Sequence, residues 1–244
     1  MKKTACCLLF SSLLVLAFAM MAVAEPAGPV NPVPPVTLVT TNLKYAPPTL
    51  AEVMEVRKQG RYLATITMER NDVKPIEIVL EGAEAPLTVA NFRKLANAGY
   101  YTGLPFTRIE TKQDFSIIQG GDSMKDDGTG GTGYWINLEI NPLLTHKARA
   151  ISMARTGDWL YTGASAFFIC FNDCQFLDGK YSTFGWMKGN IADVQKVILI
   201  GDKMKTVTVA PYDGKEDCQI LNTMPYTIWQ APAAAAATTT TTTH

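Results

Sequence analysis

The segment FTRIETKQDFSIIQGGD, residues 106–122, holds two polar side chains suited to chemistry, Arg108 and Gln119. The guanidinium of Arg108 is a permanent hydrogen-bond donor that does not titrate in a protein, so it cannot act as a general base. Gln119 ends an apolar run and supplies an amide that both donates and accepts. A guanidinium and an amide beside so many apolar strand residues indicate that this segment is a candidate site.

Other patterns resemble catalytic motifs but lack what their chemistry requires. Gly128, Gly130 and Gly133 spell G-x-G-x-x-G, yet they lie in a predicted loop, whereas a dinucleotide site needs a strand before the glycines and a helix after them. Ser123 and Ser165 lie in incomplete serine-hydrolase motifs.

The sequence also contains few candidate residues for acid–base catalysis or for metal binding. His146 is the only histidine of the predicted folded region, and it lacks a second signature of a hydrolase base. The histidines and cysteines show no spacing typical of a zinc site. We therefore predict neither hydrolysis nor a metal centre.

Short strands dominate the elements that must position Arg108 and Gln119. Alternating apolar residues predict strands at 61–69 and 76–81, and helical spacing over 88–99 predicts a helix with Thr88 as its N-cap and Gly99 as its stop. A second helix is predicted at 191–199, and one or two helical turns at 49–59. Many strands with two main helices favour a closed barrel or a sandwich. The remaining strand candidates are 105–109, 115–119, 134–138, 149–153, 166–171, 182–187 and 205–209.

An ordered series of segments between about residues 60 and 210 resembles the cyclophilin-type peptidyl-prolyl cis-trans isomerases. QGGD, GTGG and LDGK in this order are specific, whereas each alone is weak. The full series is VANFRKLANAGYYTGLPFTRI, IIQGGD, GTGG, ISMAR, ASAFFI, FLDGKYSTFG and ADVQKV.

The resemblance implies a mainly β fold, a closed eight-stranded antiparallel β-barrel capped by two α-helices, with a peptide site on its outer surface. It also implies isomerisation of Xaa-Pro bonds in proline-containing polypeptides, without a cofactor. Arg108 matches the catalytic arginine, whose donor would stabilise the twisted amide. Gln119 matches the glutamine that contacts the substrate and helps to orient the arginine.

The resemblance also assigns residues to substrate binding. Ile117, Phe168 and Leu177 match walls of the proline pocket, and Phe115 is a further candidate wall. The backbone of Arg155 would bond the peptide N-terminal to proline, and Gly130 and Gly131 would line the neighbouring groove. Three substrate-binding positions carry unusual residues, namely Ala166 for a glutamine, Phe176 for a tryptophan and Tyr181 for a histidine.

Other departures concern the segment between Arg108 and Gln119. Gln119 follows Arg108 by eleven positions, about three more than usual, which predicts a longer ETKQD loop. Phe115 then falls one place early, and Ser116 occupies the aligned pocket position unless a bulge restores Phe115. Phe176 lacks the indole donor, which predicts weak cyclosporin-like binding.

These departures leave several functions open. One hypothesis is an isomerase of reduced activity, and a second is a fold that holds proline-containing segments without turning them over. Arg108 has an alternative as an ordinary surface arginine paired with Glu110. A third hypothesis makes the Pro-rich arm, 25–48, a docking segment for a partner.

The two ends of the chain differ from its middle. Residues 1–24 have the basic start, apolar stretch and small-residue end of a signal peptide, which predicts an exported, periplasmic or secreted protein without membrane attachment after cleavage. Residues 25–59 form a Pro-rich linker and short N-terminal extension, 60–210 the domain, and 211–244 a C-terminal extension with a low-complexity tail.

Composition narrows the partners of the predicted mature protein. The chain has 22 basic and 22 acidic side chains, which gives no indication of a nucleic-acid partner. We expect a monomer. Cys170, Cys174 and Cys218 are interpreted as buried free thiols, although one internal disulfide remains compatible with their number.

Overall fold

The computed structural model describes residues 45–122, 131–155 and 164–220. Within these ranges three α-helices and one 3₁₀ turn, Gln175–Leu177, accompany eight β-strands. The helices are α1 (Leu50–Gln59), α2 (Pro86–Asn97) and α3 (Ala192–Gln195). The strands are β1 (Arg61–Met68), β2 (Ile76–Glu81), β3 (Phe106–Lys112), β4 (Phe115–Gly120), β5 (Ala150–Met153), β6 (Phe167–Cys170), β7 (Thr183–Met187) and β8 (Met204–Pro211).

The eight strands form one antiparallel sheet in the order β3-β4-β6-β5-β7-β2-β1-β8. The sheet curls until the residues just before its two end strands meet at a bridge between Pro105 and Lys203, next to backbone hydrogen bonds such as that from the Phe106 N–H to the Asp202 carbonyl at 2.9 Å. Beyond Phe106, β3 pairs only with β4 in the described part of the chain, and the β3–β4 register shifts between Phe106 and Arg108. The prediction of a closed barrel was therefore too strong, and the eight antiparallel strands form a curled half-barrel.

The predicted alternation of β1 is present, with Tyr62, Ala64, Ile66 and Met68 buried. The helix predicted for 88–99 begins earlier, at Pro86, whose fixed φ suits the first helical position. Thr88 is not its N-cap; the carboxylate of Glu139 accepts hydrogen bonds from the backbone N–H groups of Leu87 and Thr88 at 3.1 and 2.8 Å. This cap comes from a distant segment, so local sequence did not indicate it.

The helical turns predicted at 49–59 form α1, which packs on α2. Thr49 and Glu52 form a capping box, and Lys94 of α2 pairs with Glu52 at 2.9 Å. The hydrogen bond from the Thr49 backbone and the pairing with Lys94 lower the pKa of Glu52 to about 2. Val56 is fully buried in the core, so the folded region includes α1.

The folded region also continues past β8. Ile220 is fully buried, and its carbonyl accepts hydrogen bonds from the backbone N–H and the hydroxyl of Thr145 at 3.1 and 2.9 Å. Arg61 donates to the carbonyl of Glu216 at 2.7 Å. The segment between β8 and Ile220 therefore belongs to the folded unit, although the sequence placed it in an extension.

Two predicted elements differ from the structure. Residues 134–138 form no strand and contribute only a single bridge residue, Ile136. The helix predicted at 191–199 is shorter, covering only Ala192–Gln195. The predicted signal peptide, most of the Pro-rich arm, Gly128 to Gly130 and the low-complexity tail lie outside the described residues.

Further features concern the described residues alone. Cys170 and Cys174 are buried free thiols, and Cys218 is a free thiol of intermediate exposure. Across 45–122, 131–155 and 164–220, no helix combines the length and the apolar character needed to cross a membrane.

Candidate functional site

The β3–β4 hairpin places Arg108 directly opposite Gln119 in the strand register. Lys112 pairs with Phe115 at the other end of the hairpin, which leaves only Gln113 and Asp114 in the turn. The extra residues between Arg108 and Gln119 therefore lengthen the two strands, and the expected longer loop is absent from this hairpin. A rigid ladder thus holds both polar side chains.

Alternation along β4 decides which side chains accompany Gln119. Residues two apart share one face of a strand, so Phe115 and Ile117 lie on the face of Gln119. Ser116 lies on the opposite face, where its hydroxyl accepts a hydrogen bond from Gln195 Nε2 at 3.3 Å. Phe115, rather than Ser116, is therefore on the face of Arg108 and Gln119.

Arg108 is held by its strand neighbour Glu110. Its Nε and Nη2 groups donate to Glu110 Oε1 at 3.1 and 3.0 Å, and its guanidinium carbon lies 5.5 Å from the centre of the Phe115 ring. The ion pair between Arg108 and Glu110, which the alternative interpretation of Arg108 as an ordinary surface arginine predicted, is thus present. The hydrogen bonds of Arg108 to described residues all go to Glu110, and none goes to Gln119.

An apolar wall adjoins the Arg108–Gln119 pair. Phe168 of β6 lies opposite Gln119 in the β4–β6 register and is 3% exposed. Its ring contacts that of Tyr181 edge to face, with centroids 5.6 Å apart. Phe115 contacts Phe176 in the same manner at 5.5 Å, and Phe176 is 53% exposed. Aromatic rings therefore lie on both sides of the polar pair, one side buried and the other open to solvent.

Of the remaining predicted residues, Leu177, Arg155 and Ala166 lie close to this wall. Leu177 is buried in the 3₁₀ turn, next to Phe176. The Arg155 guanidinium carbon lies 4.6 Å from the centre of the Tyr181 ring, and its Nε donates to the Lys180 carbonyl at 3.0 Å. The carbonyl of Ala166 accepts a hydrogen bond from Ala154 at 2.8 Å, adjacent to Arg155 in the chain. Gly131 is exposed, and Gly130 is outside the described residues.

His146, which the sequence did not place at the site, packs against Phe168 of the apolar wall. Its ring stacks on Phe168, with centroids 5.9 Å apart and planes 13° from parallel. Nδ1 contacts Asp178 Oδ1 at 2.7 Å and Nε2 contacts Ser152 Oγ at 3.1 Å. Burial lowers the pKa of His146, although Asp178 opposes this effect.

The Ser152, His146 and Asp178 contacts follow the order of a hydrolase triad. Ser152 is fully buried and His146 is 1% exposed, so a substrate cannot reach the hydroxyl. These contacts are structural, and only the fold brings Asp178 to His146.

A second group that the sequence did not reveal fixes the start of β6. Asn91 of α2 donates to the carbonyl of Ala164 and accepts from the Tyr134 hydroxyl at 2.8 Å. The Tyr101 hydroxyl donates to the carbonyl of Ser165 at 3.0 Å. The backbone just before Ala166 is thereby fixed to the helix and the core.

A curled antiparallel sheet with an arginine and a glutamine above an apolar aromatic face defines a cyclophilin-type domain. The family described as cyclophilin type peptidyl-prolyl cis-trans isomerase/CLD matches residues 65–215, and the chain belongs to this family. The match covers most of the described structure, including every strand except the first residues of β1.

Individual relatives agree with the family assignment. The chain is 41% identical over 140 residues to peptidyl-prolyl cis-trans isomerase B of Bacillus subtilis, covering 57% of this chain and 92% of that protein. It is 37% identical over 136 residues to a peptidyl-prolyl cis-trans isomerase of Helicobacter pylori, covering 55% and 77%.

Solved structures show the same fold. A crystal structure of a cyclophilin-type isomerase from Cryptosporidium parvum matches with a TM-score of 0.51 and 25% identity, covering 62% of this chain and 98% of that one. A second structure of that protein, in the presence of the dipeptide Ala-Pro, matches with a TM-score of 0.50 and 25% identity, covering 61% and 98%.

Proposed function

We propose that this protein accelerates cis/trans isomerisation of Xaa-Pro bonds in exported polypeptides, with Arg108 stabilising the twisted amide. The observation that carries this proposal is the shared face of the β3–β4 hairpin. Arg108 and Gln119 lie there with Phe115 and Ile117, beside Phe168 of β6. A proline ring needs apolar contacts and its amide needs a donor, and this face supplies both.

The reaction requires no covalent step. The X–Pro bond turns slowly because its C–N bond has partial double-bond character, with a barrier of about 18–20 kcal/mol. In the twisted amide the prolyl nitrogen regains its lone pair and becomes a better acceptor. A guanidinium that donates to this nitrogen stabilises the twisted form more than the planar one, which lowers the barrier.

The other residues bind the peptide on either side of proline. Phe115, Ile117, Phe168 and Leu177 contact the ring, and Gln119 bonds the peptide backbone. The backbone of Arg155 bonds the residues preceding proline. Phe176 and Tyr181 extend the apolar wall at its two ends, while Gly131, with Gly130, lines the neighbouring groove. The Cryptosporidium relative studied in the presence of Ala-Pro supports proline-containing peptides as the substrate class.

A protease-coupled assay with a proline-containing chromogenic peptide tests this function. We expect Arg108→Ala to lower kcat/KM about a hundredfold, since a preorganised donor is lost. Arg57→Ala is the matched control, because Arg57 is exposed on α1, and it should retain wild-type activity. If wild type and Arg108→Ala are equally slow, near the uncatalysed rate, the proposal is wrong.

Export is the second part of the proposal and rests on the leader-like residues 1–24. Expression of the full chain with fractionation and intact-mass measurement tests it. A mature product lacking about the first 24 residues in the periplasm or medium is expected, whereas an uncleaved product in the cytosol would contradict export.

A second candidate function is the holding of proline-containing segments without turnover. Ala166 favours it, because alanine cannot provide the side-chain hydrogen bond of a glutamine. Isomer-exchange NMR separates the two functions: an isomerase broadens the cis and trans signals of a peptide, and a holding protein shifts them without exchange. Peptide binding that survives Arg108→Ala would also favour holding.

A further inference from the structure

Glu110 occupies an unusual place beside the proposed catalytic arginine. It lies two residues after Arg108 on β3, so both side chains leave the same face of the strand. It also lies opposite Ile117 in the β3–β4 register, next to the Arg108–Gln119 pair. Glu110 therefore lies on the same face as the proposed proline site.

The contact uses one edge of the guanidinium. Glu110 Oε1 accepts from both Nε and Nη2 of Arg108, at 3.1 and 3.0 Å. A guanidinium has five N–H groups in a rigid plane, so two bonds to one oxygen direct its Nε–Nη2 edge towards Glu110. The Nη1 edge then lies on the side away from Glu110.

Two further contacts restrain this arrangement. Lys112 Nζ lies 3.4 Å from Glu110 Oε2, the oxygen that does not contact Arg108. The Phe115 ring lies 5.5 Å from the guanidinium carbon and restrains it through a cation–π contact. Hydrogen bonds from Arg108 and Lys112 lower the pKa of Glu110, which keeps the carboxylate ionised at neutral pH.

We propose that Glu110 is the positioning residue for Arg108, orienting the guanidinium so that its Nη1 edge can reach the prolyl nitrogen. The inference rests on the proposed isomerase function. It also assigns Gln119 a different task, because the described contacts leave the orientation of Arg108 to Glu110. The amide of Gln119 then serves the peptide backbone.

An increase in activity on removal of the Glu110 carboxylate is the alternative outcome. Glu110 could compete with substrate for Arg108, and removal of the carboxylate would then raise activity. Positioning predicts a fall in kcat, because the oriented donor matters in the twisted state, with little change in KM. The direction of the change in kcat therefore decides between the two roles.

A double-mutant cycle provides the test. We expect Glu110→Ala to lower kcat about tenfold and Glu110→Gln to lower it less, since glutamine keeps an acceptor but loses the charge. In the Arg108→Ala background, Glu110→Ala should have no further effect, because Glu110 acts through the arginine. Glu77→Gln is the matched control, because Glu77 is the exposed residue of the otherwise buried β2, and it should leave kcat unchanged.

NMR of the Arg108 Nε–H group provides a second measurement where residual activity is too low for the cycle. In the wild type, the Arg108 Nε–H should exchange with water more slowly than the Nε–H of the exposed Arg57. In Glu110→Ala, the two Nε–H groups should exchange at the same rate. The inference is overturned if exchange is equal in wild type and Glu110→Ala, if kcat rises or stays unchanged in Glu110→Ala, or if the loss is the same with and without Arg108.

Failure of the isomerase function itself would look different. Wild-type protein would then give only the uncatalysed rate, and both proposals would fall. An active wild type that depends on Arg108 but not on Glu110 would overturn the positioning role alone.

Discussion

Phe115 lies beside Arg108, with its ring centre 5.5 Å from the guanidinium carbon. The family alignment placed Ser116 at this position and left Phe115 one residue early. The lengthened hairpin keeps Arg108 opposite Gln119 and directs Phe115 to their face. The aromatic ring and the arginine therefore meet despite the altered spacing.

Substitution at these two neighbouring positions should have different effects. We expect Phe115→Ala to lower kcat/KM about tenfold, because an apolar contact with the proline ring is lost. Ser116→Ala should change kcat/KM less than twofold and lower the free energy of unfolding by about 1 kcal/mol, since the buried Ser116 hydroxyl accepts a hydrogen bond from Gln195. Peptide kinetics and urea unfolding of both variants measure this difference. A larger kinetic loss in Ser116→Ala would contradict the register.

The pH dependence of stability should include a contribution from His146. Burial lowers the pKa of His146 in the folded protein. An unfolded histidine binds a proton below about pH 6.5, whereas the folded His146 binds one only at lower pH. The unfolded state then carries more protons, so the free energy of unfolding decreases as the pH is lowered below about 6.5. The slope from one such group is at most about 1.4 kcal/mol per pH unit.

Urea unfolding at pH 7.5 and at pH 5.5 measures this effect. His146→Asn should be less stable at both values, but its stability should change less between them. Glu52 and Glu216 have pKa values of about 2, so their contribution is lost only at lower pH. Equal pH dependence in wild type and His146→Asn would contradict the prediction.

Sequence patterns predicted the strands well where side chains alternate. In β1 local burial follows the local pattern, and the ordered motifs identified the family. In β2 Val79 and Glu81 are buried as well, and Glu81 accepts hydrogen bonds from Arg61 and the distant Trp186. The strand predicted at 134–138 is absent, and at Tyr134 the backbone bonds a neighbouring side chain: its N–H donates to Thr132 Oγ1 at 3.4 Å and its carbonyl accepts from the same hydroxyl at 2.8 Å. A side-chain hydroxyl that bonds the backbone in this way competes with strand pairing.

The site shows the same division between local and distant information. Arg108 and Gln119 were predicted as site residues from their types and their order along the chain. His146 and Asn91 were missed as supports because each acts through residues far away in sequence, such as Asp178 and Ala164. The orientation of Arg108 was assigned to Gln119 by family resemblance, whereas the described bonds involve Glu110.

The folded unit should depend on Ile220, which lies beyond the family match. We expect Ile220→Ala to lower the free energy of unfolding by about 2–5 kcal/mol, because a fully buried side chain leaves a cavity. Ile200→Ala is a matched control, since Ile200 is 65% exposed, and it should cost less than about 0.5 kcal/mol. Chemical denaturation measures both. Equal losses would show that the segment reaching Ile220 adds no stability.

Phe176 should limit the binding of cyclosporin. The ring contacts Phe115 and is 53% exposed, but it has no donor. Phe176→Trp adds an indole N–H and should tighten binding about tenfold, by one additional hydrogen bond. Calorimetric titration measures the change, with Phe171→Trp, at a buried position, as the control that should not improve binding. Unchanged affinity in Phe176→Trp would locate the weakness elsewhere.

Strand β3 is the last strand on one side of the sheet order, and it carries Arg108, Glu110 and Lys112 at alternate positions. A strand at a sheet edge exposes backbone groups that can pair with a strand of another molecule, and charged side chains oppose such pairing. The charges beside the proposed site therefore also protect this edge from aggregation. Replacing Glu110 and Lys112 together with valine should make the protein self-associate at high concentration.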